Sequence, residues 1–313
     1  MGAGLVANPV LAPPAPRTTP ALAAAVLSGA MVALQARLNG DLQVALGDTL
    51  LTALVSFATG LVAVVAVVAC RPASRIALAK LRDTPGWNRL GGVGGAVLVA
   101  VGAAAAPRIG VALLTIGLVA GQTGGGLAVD RLGLGPGRRQ DVTGPRAAGA
   151  LLCLLAGVLG GGARHADPVL MALIVVAGML IALQQALNGR VHRATGDAGV
   201  ATLVNFVVGS AALLLGLAVR AALFGVHVSH WPGLGELALY AGGPIGAAYV
   251  AVAAVVVGRL GVLRLGLAIT AGQLLGAVGL DAALPGGSGV PLATLVGVLL
   301  TLIAVVVSGR GAA

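Results

Sequence analysis

The chain has 313 residues, of which 58% are apolar and only 9% charged, with 51 glycines, whereas an ordinary soluble domain carries about 25% charged residues. So few charges cannot cover a water-soluble surface of this size, so the bilayer is the solvent. The net charge of +10 does not point to nucleic acid, because the basic residues lie between apolar runs instead of interleaving with aromatics; two cysteines, Cys70 and Cys153, make neither a disulfide framework nor a zinc site.

Residues 1–20, rich in proline and holding only Arg17, lack the charged start and apolar core of a signal peptide and read as a disordered cytoplasmic tail. Ten runs then follow that are long enough to cross ~30 Å of hydrocarbon. They lie near Ala21–Leu38, Thr49–Cys70, Leu90–Ala106, Val111–Val129, Ala147–Gly162, Val169–Leu187, Ala198–Leu223, Leu237–Val257, Val262–Leu280 and Pro291–Ser308. Their continuous apolar character, without a period of two, selects helices over a barrel. With these spans, fifteen of the 19 basic residues fall on the side of the N-terminus and only Arg37, Arg108, Arg164 and Arg220 on the other. The positive-inside rule then predicts a multi-pass protein of the cytoplasmic (plasma) membrane with both termini cytoplasmic.

The sequence repeats itself. Ala33-Leu-Gln-Ala-Arg-Leu-Asn-Gly40 returns as Ala182-Leu-Gln-Gln-Ala-Leu-Asn-Gly189, and Gly47-Asp48, Ser56-Phe57 and Gly60 return as Gly196-Asp197, Asn205-Phe206 and Gly209, all at an offset of 149. Arg108-Ile-Gly110, Ala120-Gly-Gln122 and Asp130 match Arg259-Leu-Gly261, Ala271-Gly-Gln273 and Asp281 at an offset of 151. The reading is two five-helix units, residues 21–163 and 164–313. Five is odd, so the second unit enters the membrane from the opposite side. The loop charges agree, since the loop after the second span carries Arg71, Arg75, Lys80, Arg82 and Arg89 while its counterpart carries only Arg220.

This set of motifs, a first helix with Ala-Leu-Gln-x-x-Leu-Asn-Gly, a Gly-Asp turn, a Gly-rich third helix, an Arg-x-Gly turn, and Ala-Gly-Gln with Asp eight residues beyond the Gln, resembles the YdcZ-like family of the drug/metabolite transporter (DMT) superfamily. Usual members resemble one unit, and here the resemblance runs twice between Ala21 and Ser308. It implies an all-α integral membrane protein of the DMT, EamA-like kind, with ten transmembrane helices as two inverted five-helix repeats, and transport as its activity.

Candidate substrate-binding residues are the polar ones placed deep in the spans. Gln122 and Gln273 stand about twelve residues into their helices, ~18 Å along the axis, where a polar side chain needs a helix neighbour or a solute. Gln35 and Gln184 share helical faces with Asn39 and Asn188. The Asn-Gly pairs also suit helix C-termini, so Asn39 and Asn188 read first as caps. Ser56 and Asn205 occupy equivalent places in the second helix of each unit, while Asp48 and Asp197 read as N-caps. Asp130 and Asp281 close their helices, where a negative charge opposes the dipole, and with Arg108 and Arg259 they are gate or interface candidates; Arg131 offers Asp130 an ion-pair partner. The four histidines fall in expected loops without metal-ligand spacing, so no metal and no cofactor is expected.

The spans contain no Glu and no Lys, and their acids lie only at the ends. Small multidrug exporters of the same superfamily carry a buried carboxylate in the first helix; Ala21–Leu38 has none, and the few aromatics do not make a cation cage. The expectation is a secondary transporter or permease working by alternating access, an exporter of a neutral polar or weakly charged small molecule. The absence of clustered acids, a nucleophile with its base, or a phosphate-binding loop argues against an enzyme or ATP-driven pump. The alternative is a non-transporting membrane assembly or scaffold protein, for which abundant Gly and Ala would serve close packing. The partners expected are a small-molecule substrate and the lipid bilayer, no nucleic acid, and no second copy, since both units are fused.

Overall fold

The computed structural model describes residues 18–161, 168–226, 228–283 and 292–310. Among them the chain is helical throughout, with α1 (Thr18–Leu46), α2 (Thr49–Cys70), α3 (Pro72–Ala79), α4 (Gly92–Leu132), α5 (Gly144–Gly161), α6 (Pro168–Thr195), α7 (Ala198–Phe224), α8 (Gly242–Leu260), α9 (Val262–Ala283) and α10 (Leu292–Gly309), and short 3-10 turns at Lys80–Asp83, Gly86–Gly91 and Leu234–Ala241. Six helical segments are long and apolar enough to cross a bilayer by length and composition, among them α1, α2, α6 and α7. α1 starts at Thr18, inside the stretch expected to be a tail, most of which lies outside the described residues.

Three sequence expectations are corrected. First, α1 and α6 do not stop at their Asn-Gly pairs but run on to Leu46 and Thr195. The stop is made by Gly47 and Gly196, with φ of 76° and 74°. Each is followed by an Asp whose side chain caps the next helix: Asp48 accepts from the amide of Leu51 and Asp197 from that of Val200, both at 3.0 Å. A left-handed glycine joined to an N-cap ends one helix and starts another within two residues, whereas Asn-Gly alone leaves the helix free to continue. Burial opposes the charge of Asp197, but hydrogen bonds from the Ser74 hydroxyl at 2.7 Å and from the amides of Val200 and Gly199, with Arg71 nearby, hold its carboxyl below the ordinary range.

Second, the turn expected at Arg108–Gly110 leaves no non-helical loop between the two spans it joins, which both belong to α4, of 41 residues. Drawn straight, it would separate Gly95 from Gln122 by about 40 Å, yet both border one cavity, and a Cβ on Gly102 would stand 3.9 Å from Leu114 Cδ2. The helix therefore folds back between Gly102 and Leu114 into two antiparallel arms. In the second unit the same point is an open break at Gly261, with φ of 76°, between α8 and α9. Third, His192 sits within α6, not in a loop.

The two units interlock. α1 of the first unit lies between α8 and α9 of the second, and α6 of the second lies between the two arms of α4. Glycine sets both crossings: a Cβ on Gly29 would run into the backbone of Ile269 and Gly272, and one on Gly178 into that of Leu118 and Gly121. Each pair is the other's counterpart at the repeat offset. Since lipid tails are as apolar as Leu, close backbone approach through small residues is what holds such helices together. α2 and α7 pack along their length, with Arg220 2.6 Å from Asp48 at one end, the rings of Phe57 and Phe206 with centroids 5.0 Å apart in the middle, and Val68 against Gly199 at the other end. The two equivalent helices therefore run in opposite directions. α5 and α10 pack on each other beside this bundle.

Candidate functional site

Where the interlocked units meet, α1, α2, α4, α6, α7, α8 and α9 enclose a cavity of about 420 Å³. Gln35, Gln184, Gln122, Gln273, Ser56 and Asn205 all line it, as do Phe57, Phe206, Asn39, Thr115 and Tyr249, and among the described residues none that lines it carries a charge. The repeat makes this convergence intelligible. Gln35 and Ser56 come from α1 and α2, Gln184 and Asn205 from their counterparts α6 and α7, and the paired glutamines Gln122 and Gln273 from α4 and α9.

Glycine backbone makes room for the amides. A Cβ on Gly246 would stand 2.5 Å from Gln35 Nε2, and one on the equivalent Gly95 would stand 3.5 Å from Gln184 Oε1. Each glutamine therefore lies across a helix of the opposite unit. Asn188 Nδ2 donates to Asn205 Oδ1 at 3.0 Å, tying α6 to α7 behind the cavity. Gln184 Oε1, Asn205 Nδ2 and Asn39 Oδ1 are buried without a hydrogen-bond partner. An amide left so in a low-dielectric interior is costly, and such groups call for a partner in the space they face.

Three of the four gate or interface candidates, Asp130, Arg108 and Arg259, do not join them. Asp130 is buried away from the cavity. Its Oδ1 accepts from the amide of Val262 at 2.7 Å, its Oδ2 from that of Leu263 at 3.1 Å, and Arg146 Nη2 stands 2.5 Å from Oδ2. Its charge thus meets the positive end of α9 rather than suffering at the negative end of α4. Arg131, the partner expected from sequence, is exposed, and buried Arg146 takes that role. Arg108 and Arg259 are exposed; the side chain of Asp281 lies outside the described residues.

Phe57, Phe206, Thr115 and Tyr249 were not among the candidates read from sequence, and Asn39 reads there first as a cap. Asn39 was legible, since it lies four positions from Gln35 on one face, and the two phenylalanines follow Ser56 and Asn205 in the repeated pair. Nothing local marks Thr115 or Tyr249, whose counterparts are Gly266 and Leu98.

The chain matches the family model described as "Putative inner membrane exporter, YdcZ" twice, over residues 20–159 and 169–307. A solved protein described only as "Crystal structure of protein" shares the fold with a TM-score of 0.65 at 23% identity, over 94% of this chain and 96% of that one. No curated protein sequence matches the chain. Two consecutive matches, one over each half of a chain whose halves contribute equivalent residues to one cavity, make this protein a fused two-unit member of the YdcZ family of the drug/metabolite transporter superfamily, a family of membrane transporters.

Proposed function

We propose that the protein is a secondary transporter that moves a neutral polar or weakly charged small molecule across the cytoplasmic membrane by alternating access, in the direction of export. Its ten crossings form two inverted units of five, with both termini cytoplasmic, and the fused pair works as a monomer. The observation that carries this reading is the uncharged cavity of about 420 Å³ to which both units supply equivalent amides. Antiparallel α2 and α7 support the inversion, because equivalent helices related by an axis along the membrane normal would run parallel. The two arms of α4, counted separately, support ten crossings. A scaffold has no use for buried amides facing empty space, and the family description supports export.

The test is binding followed by flux. Purified protein is screened for thermal stabilisation against a broad metabolite set, and the hits are assayed for flux in proteoliposomes. Stabilisation by a neutral polar compound that also crosses the membrane is the expected result. Hits confined to organic cations, or binding without flux, would overturn it.

A further inference from the structure

The two halves of the cavity are not equivalent. On the wall supplied by the second unit, Gln184 is 8% and Asn205 1% exposed, and Gln184 Oε1 and Asn205 Nδ2 have no partner. The orientation of Asn205 is fixed by Asn188, whose Nδ2 donates to its Oδ1 at 3.0 Å, so Nδ2 is the atom left free. On the wall of the first unit Ser56 stands in the place of Asn205, and Gln35 is only half buried. One wall therefore presents an unmet acceptor and an unmet donor, both deeply buried, and the other does not repeat the pair.

Both free atoms belong to residues that line the one cavity. Asn188, which holds Asn205, lies one helical turn beyond Gln184 on α6, so the acceptor and the donor are set on the same wall. Beside Gln184 lies an aromatic edge: Phe57 Cζ and Gln184 Oε1 stand 3.2 and 3.5 Å from the same point, where a Cβ on Gly95 would be. A solute satisfying all three carries an N–H donor and a carbonyl acceptor on a flat, uncharged ring.

We propose that this wall is the polar subsite for the substrate and takes a neutral cyclic amide or imide, its N–H donating to Gln184 Oε1 and its carbonyl accepting from Asn205 Nδ2, with the ring against Phe57. The assignment rests on the cavity being the transport site.

Thermal stabilisation of the purified full chain by 2-pyridone and uracil, each against its N-methylated form (1-methyl-2-pyridone, 1,3-dimethyluracil), tests it. At least one N–H compound binds, and its methylated form binds at least about tenfold more weakly, as loss of one buried hydrogen bond requires. Gln184→Met and Asn205→Ser, the latter restoring the residue of the first unit, each weaken binding about tenfold, and Gln35→Met less than about threefold. If Asn205→Ser fails to accumulate, Gln184→Met decides alone. Equal binding of the methylated forms, or equal loss from Gln35→Met, overturns the subsite. So does a panel that fails while other neutral metabolites bind and cross, an outcome that leaves the transport reading standing. If no compound of either set binds, both fall.

Discussion

Asp130 and Val262, which belong to different repeats, are joined by a 2.7 Å hydrogen bond from the Val262 amide to Oδ1 of Asp130. The side chain of one helix thus caps the start of another, and Arg146 closes the group at 2.5 Å. Replacing Asp130 by Asn keeps an acceptor for one amide but leaves the buried guanidinium of Arg146 uncompensated. The expected loss of stability is about 3–5 kcal/mol, read as a lowered midpoint in thermal or denaturant unfolding. The double variant Asp130→Asn with Arg146→Met is expected to recover part of it; recovery of nothing would mean that the cap, not the ion pair, holds this end.

Gln122→Leu and Gln273→Leu are expected to accumulate in the membrane at normal levels and to reduce flux of a stabilising solute by about tenfold each, one hydrogen bond's worth of recognition. A variant with normal flux would remove that glutamine from the site. One that no longer accumulates would make it a strut between helices.

Gly29 and Gly178 occupy equivalent crossings, so Gly29→Val and Gly178→Val are expected to damage the protein alike. Each drives a side chain into opposing backbone that cannot move aside, at a cost of roughly 2 kcal/mol or more. The readout is the fraction surviving detergent extraction and gel filtration at graded temperatures. Unequal damage would show that one of the two interlocks dominates.

Reporter fusions at either end of the chain are expected to report a cytoplasmic position, while one placed in the segment around Ser229, before α8, reports the opposite side. An external terminus would reverse the assignment of units and of loop charges together.

Much of this architecture was legible because hydropathy is summed over some twenty residues and tolerates local error. Local signals read less well. Asn39-Gly40 has the chemistry of a helix end, but the stronger pair Gly47-Asp48 follows seven residues later, and only the tertiary path shows which is used. Asp130 looked misplaced because the dipole argument was confined to its own helix, and the compensating N-terminus belongs to α9, more than a hundred residues away. Arg146 counted as one cytoplasmic loop charge among fifteen, yet it is 1% exposed; a count of charges carries no depth. The convergence of the six polar candidates on one cavity followed from internal homology, since residues repeated in two equivalent units meet wherever the units cross.

The interlock has a consequence for motion. With α1 seated in the crook of α8 and α9, and α6 in the fold of α4, the proposed alternating access would rock rigid pieces that are chimeric, each built from segments of both halves of the chain. The swivels between them are then the two-residue junctions Gly47-Asp48 and Gly196-Asp197, where helix gives way to helix with no slack. Spin labels on α1 and α9 should keep a constant separation through the cycle while labels on α1 and α6 do not. Cutting the chain between the repeats should leave two fragments that fold only in each other's presence.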